Sequence, residues 1–190
     1  MAAALMTVAP DGWFSLEQRN YCRLFQEQVL PIIDVANQRI SPAASLKAEA
    51  RLSAFTNSSP PLLFLRHRYF SGLLLPSLSR IAQKAAFAQT AANTAAIACA
   101  LERYRRTHGQ WPESLAVLTP ELMDKLPHDV INGQPLKYRL TTGNRYTLYS
   151  VGWNETDDGG VVGTAPDNEW HHRAPDGTKS GEGDWVWRLP

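Results

Sequence analysis

Glu102-Arg103-Tyr104-Arg105-Arg106-Thr107-His108-Gly109-Gln110-Trp111-Pro112 is the stretch on which the fold turns. Ahead of it, apolar residues recur with a helical period; behind it, they recur at every second position. His108-Gly109 supplies the stop, because glycine takes the left-handed C′ position without a Cβ penalty and Pro112 cannot continue a helix. Upstream, residues 78–107 read as one helix, about 45 Å long at 1.5 Å per residue. It is rich in alanine: Ala85, Ala88, Ala92, Ala95 and Ala96 leave its backbone open to close approach, while Ile97, Leu101 and Tyr104 form a larger apolar stripe at its carboxyl end. That stripe is expected to pack on a sheet. Cys99, within the same helix, is expected as a small buried thiol.

Downstream, Leu136, Tyr138 and Leu140 alternate with Lys137 and Arg139, Thr141-Thr142-Gly143-Asn144 turns the chain, and residues 145–151 alternate again. This pattern predicts a β-hairpin. Trp185-Val186-Trp187-Arg188-Leu189 predicts a third strand, separated from the hairpin by a long loop rich in polar residues and glycine, and Trp185 and Trp187 share a face that would cover the helix. A long helix followed by a small, three-stranded antiparallel sheet defines the class as α+β.

Towards the amino terminus, residues 13–55 also read as helical. Ser15 and Gln18 form a capping-box pattern, followed by Tyr21, Leu24, Phe25, Val29, Ile32, Ile33 and Ala36 at three- and four-residue spacing. Pro31 removes an amide donor and predicts a bend or break. Ser41-Pro42 restarts a helix that is stopped by Asn57-Ser58-Ser59-Pro60-Pro61, a linker-like run of polar residues and two prolines. The expected organisation is a helical region over 1–60 and the helix-plus-sheet unit over 61–190.

Composition narrows function by exclusion. With 190 residues, 19 basic and 18 acidic side chains and a formal net charge of +1, the chain has no general electrostatic grip on nucleic acid. The leucine runs at 62–65 and 73–75 fall far short of a bilayer span, so no membrane span is expected within the chain. Residues 1–10 lack the basic and apolar regions of a secretory signal, so if the protein lies outside the cytoplasm its export element is expected to precede Met1. Cys22 and Cys99 show neither disulfide-framework nor zinc spacing.

The 102–112 stretch with Glu113-Ser114-Leu115 resembles the end of the stem helix in type II secretion major pseudopilins, which close in a Tyr…Gly-x-Tyr-Pro turn. Tyr149-Ser150-Val151-Gly152-Trp153-Asn154 is similar to their Tyr-Ser-Leu-Gly-Ala-Asp strand end, and residues 181–185 are similar to the glycine-rich, Asp-bearing entry to their last strand. The likeness covers about residues 71–190 and is nearest to a group of bacterial envelope proteins with a pilin-like carboxyl-terminal region. It departs from the pseudopilins where their stem helix has its apolar membrane half, since residues 70–79 hold Pro76 and only a short leucine run. The resemblance implies a non-enzymatic, pilin-like envelope module that makes protein–protein contacts in a secretion-related assembly. It implies a periplasmic or extracytoplasmic location with an anchor outside this chain, a cytoplasmic one staying open. The alternatives are a carbohydrate- or protein-binding module unrelated to secretion, for which Trp153, Trp170, Trp185 and Trp187 could supply stacking surfaces, and a hydrolase.

The chemical candidate is the loop over 154–184. A hard cation takes six to eight oxygens on a sharply turning backbone, and this loop offers Asn154, Asp157, Asp158 and Asp184 among Gly159, Gly160, Gly181 and Gly183. In related pseudopilins the equivalent loop binds calcium; Asp184 matches the family's Asp before the last strand, and Asn154 stands where the family has its first Asp. Ca2+ is therefore the expected cofactor, bound more weakly for the missing charge. The competing account is that Asp and Gly serve here as turn formers. His171-His172 lack a third ligand at useful spacing. No Gly-x-Ser-x-Gly, phosphate loop, dinucleotide fingerprint or His-Glu-x-x-His occurs, and no catalytic residue is assigned.

Overall fold

The computed structural model of the chain describes residues 10–162 and 183–188. The class is α+β, and the chain divides into two compact units: residues up to 34 with 41–82, and residues 35–40 with 83–190.

The first unit contains α1 (Asp11–Leu24), α2 (Pro42–Thr56), α3 (Pro60–Leu65) and the first turns of α4 (Tyr69–His108). α1 opens behind Pro10 without a side-chain cap, so the Ser15/Gln18 box falls inside the helix and caps nothing. The break falls at Pro31, as expected: the helix loosens into a π-turn over Phe25–Val29 and ends in a 3-10 turn over Leu30–Ile32, which places Pro31 where its missing amide costs least. The helical period ends there. Ile33 and Ala36, expected on the buried face, are exposed. Leu24, Val29, Leu52 and Leu75 form the core of this unit, with Tyr21, Phe25 and Leu78 packed around them. Trp13 stacks on Phe64 with ring centroids 4.4 Å apart and donates its indole N–H to the Phe64 carbonyl at 2.9 Å.

In the second unit, α4 runs unbroken to His108, and Gly109 closes it at φ 79° with its amide on the Arg105 carbonyl. The three-stranded antiparallel sheet follows: β3 (Lys137–Thr141), β4 (Arg145–Ser150) and β5 (Trp185–Arg188), in the order β3-β4-β5. Leu140 pairs with Tyr146 and Thr141 with Arg145 across the hairpin; Ser150 pairs with Trp185 on the other side of β4. Two short strands precede these in the chain, β1 (Ile33–Asp34) at the end of the first unit's leading segment and β2 (Arg39–Ile40) in the second unit.

The helix does pack on the sheet. Ile97, Ala100 and Leu101 meet Leu136, Tyr146 and Leu148, with Tyr104 and Trp187 at the margin. Nearer the start of this part of the helix, Ala86 joins Val130, Ile131, Val151 and Trp185. Trp185 is buried and stands edge-on to Phe87 at 5.3 Å, while Trp187, on the same face of β5, is partly buried against the cluster of Ile97 and Leu148. Trp111 explains the turn after the helix: its indole N–H reaches the Asn144 carbonyl at 2.8 Å and its ring lies beneath the Arg105 guanidinium. Ala85, Ala88, Ala92 and Ala96 lie on the solvent side of α4, and Cys99 lies there with them, an exposed thiol where a buried one was expected. Its position one turn on from Ala96 decides this, since Ile97, Ala100 and Leu101 already occupy the sheet-facing side.

Candidate functional site

The loop leaving β4 folds back over the outer face of the sheet. Gly152 turns it at φ 69°, and Gly160 returns to lie on Thr147 and Tyr149, where a Cβ would meet the Thr147 methyl at 3.1 Å. This is why Thr147 and Tyr149 are buried although they face away from α4.

Asp184 holds the loop in place. It is fully buried; one carboxylate oxygen accepts the Gly160 amide at 2.6 Å and the other the Asp158 amide at 3.3 Å, while its own amide donates to the Val161 carbonyl at 3.0 Å. Burial pushes its carboxyl above the usual range against the pull of those two amides, and the neighbouring charges of Asp157 and Asp158 add to the rise. Asp157 lies on the exposed side. It accepts the Gly159 amide and the Tyr149 hydroxyl, both at 3.1 Å, and pairs with Lys137 at 3.3 Å. The Gly159 amide chiefly, with Lys137 and the hydroxyl, holds its carboxyl below the usual value. Burial, then the bond to Asp157, pushes the Tyr149 hydroxyl up. Asp158 accepts the Asn154 side-chain amide at 2.9 Å, and the Asn154 oxygen accepts the Thr156 amide at 3.2 Å.

All four residues expected to ligate a cation are thus gathered around one loop, by two different means. Asp184 is an internal staple, whereas Asn154, Asp157 and Asp158 line the solvent side. Their oxygens have the hardness calcium needs. Among the described residues, however, no three Asp, Glu, His or Cys side chains converge as a ready-made metal group, and the oxygens named above already accept protein hydrogens. A cation held here would draw on Asp184 with Asp157 or Asp158 and on loop carbonyls. His171, His172, Trp170 and Gly181 lie outside the described residues.

Two further buried carboxylates escaped the sequence patterns. Asp129 accepts the Ile131 amide at 2.9 Å and, through its other oxygen, the Val151 amide at 3.0 Å, anchoring the end of β4 from below. In the first unit, one oxygen of buried Glu17 accepts the amides of Phe70 and Ser71, so it caps α4 from a distant part of the chain. Glu17 has no local signature, because its partners lie more than fifty residues along the chain; Asp129 makes one local bond, to the Ile131 amide two residues on, but its bond to Val151 is set by the fold.

No family model, no curated protein and no solved structure matches this chain.

Proposed function

We propose that this chain is a pilin- or pseudopilin-like envelope module that acts by protein–protein contact rather than catalysis, in a secretion-related assembly. The observation that carries this reading is α4 itself: a long helix whose sheet-facing side is filled, while Ala85, Ala88, Ala92 and Ala96 stay exposed at three- and four-residue spacing. Small side chains along an open helix face let a neighbouring helix approach closely without a pocket having to form. The carboxylates of the loop support the same reading, since Asp184 and Asp157 accept backbone amides and Asp158 accepts the Asn154 side-chain amide. A photo-activatable side chain at Ala92, in the gene product made in its own host, tests it. Adducts with another pilin-type subunit or a secretion component are the expected result; adducts confined to unrelated proteins, or none, would overturn it.

Calcium at the loop belongs to the same proposal. Its support is electrostatic: Asp184 is a buried carboxylate beside two further carboxylates, with Lys137 paired to Asp157. A divalent cation would offset that excess of negative charge and gather the loop, whose ordering otherwise costs conformational entropy.

A further inference from the structure

Between Asp129 and Glu155 the chain has no acidic residue, and Lys137, Arg139 and Arg145 fall in that interval, all on the hairpin of β3 and β4. The register puts them on the outer face of the sheet: Lys137 lies opposite Tyr149, Arg139 opposite Thr147, and Arg145 opposite Thr141. Lys137 is already paired with Asp157. Arg139 and Arg145, diagonal neighbours across the hairpin, are exposed and form no ion pair or hydrogen bond with a described residue. The loop carboxylates gather at the Lys137 end, away from the hairpin turn: Asp157 bonds to Lys137 and Tyr149, and Asp184 precedes Trp185, which pairs with Ser150.

β3 is also the outermost strand on its side of the described sheet. Its backbone is bonded to β4, and no other described backbone group bonds to residues 137–141. The two faces of this edge differ. Arg139 and Thr141 lie on the outer face, whereas Leu140, on the α4 side opposite Tyr146, keeps 46% of its surface exposed. The Tyr138 hydroxyl donates to the Pro112 carbonyl at 2.8 Å and braces the strand from the inner side.

We propose that this edge takes up an extended, acidic segment of a partner protein as a further strand. Its carboxylates would sit at Arg139 and, across the short Thr141, at Arg145; its alternate, apolar side chains would cover Leu140. Main-chain bonds to an open edge supply affinity, and alternating side chains supply selectivity. A second copy of the same edge does not fit, because antiparallel pairing centred on Arg139 would set that arginine against its own copy. The edge lies on the sheet, apart from the alanine face of α4, and the inference does not need the pilin-like reading.

The test is binding of the full chain to a fluorescent peptide of alternating glutamate and valine, followed by anisotropy and by the amide resonances of residues 137–141. The same peptide with lysine for glutamate should bind at least about tenfold more weakly, and high salt should weaken the glutamate peptide. Methylating two adjacent central amides leaves charge and side chains intact but removes a donor to β3 whichever way the peptide runs, and should cost about tenfold. Arg139→Ser and Arg145→Ser, each checked for an unchanged unfolding midpoint, should each weaken binding by about threefold to fivefold. Equal binding of the glutamate and lysine peptides, binding that survives amide methylation, or serine variants that both bind like the parent would overturn the proposal. No binding at millimolar peptide would do so too, and would leave the arginines as charges that keep other strands away.

Discussion

The carboxylate of Asp184 and the amide of Gly160 meet at 2.6 Å in the interior, joining the entry of the last strand to a loop that lies more than twenty residues earlier in the chain. The bond sets the position of the whole 152–160 segment on the outer face of the sheet, because Gly160 rests on Thr147 and Tyr149.

Asp184→Ala should therefore leave the amides of Gly160 and Asp158 without acceptors. Each unsatisfied buried group costs about 1–3 kcal/mol, so a loss of about 2–4 kcal/mol in urea-unfolding stability is expected. Asp184→Asn keeps one acceptor and should fall between the parent and the alanine variant. A change under about 0.5 kcal/mol for alanine would show that the staple is dispensable.

Gly152 and Gly159 have nearly the same backbone, φ 69° and 71°, in very different surroundings. A Cβ at Gly152 would fall 2.0 Å from the Gly183 carbonyl oxygen, whereas one at Gly159 meets nothing within 4 Å. Gly159→Ala should cost only the left-handed strain, about 1–2 kcal/mol. Gly152→Ala should cost that and a backbone displacement, about 3 kcal/mol or more in total. Equal losses in chemical denaturation would contradict the close approach of the two chain segments.

Glu102 bonds to Arg105 at 2.7 Å and to Arg106 at 3.0 Å near the carboxyl end of α4, and these bonds pull its carboxyl from 4.5 down to about 2. A depressed folded value means that the contribution is complete above pH 4.5 and disappears as the pH falls through about 2. The pair is solvent-facing, so the effect is modest and weakened by salt. Thermal midpoints of the parent and Glu102→Gln should differ by a constant amount above pH 4.5 and converge towards pH 2. A difference unchanged across that interval would assign the role of Glu102 to packing.

Millimolar calcium should raise the thermal midpoint and excess chelator should return it, since a ligand bound only by the native state stabilises that state. The increment should vanish in Asp184→Ala and shrink in Asp157→Asn. Were the midpoint indifferent to calcium, or the increment the same in Asp184→Ala, the loop would be held by its amide bonds alone.

The sequence by itself determined the change of period at Gly109, the helix before it, the hairpin turn at Gly143-Asn144 and the inward face of Trp185 and Trp187. These are local facts: backbone bonding within a helix or hairpin involves near neighbours, and side-chain periodicity records which face is covered. Tertiary structure decided where α4 begins. It starts at Tyr69 and passes Pro76, because Glu17 caps its first amides and Leu75 is fully buried in the first unit, which together outweigh one missing backbone donor. Tertiary structure also separated Asp184 from Asp157 and Asp158. In the sequence all three are acidic residues of one glycine-rich loop, yet only Asp184 is an internal acceptor for two amides, since whether a carboxylate is buried depends on which distant backbone groups the fold brings within reach.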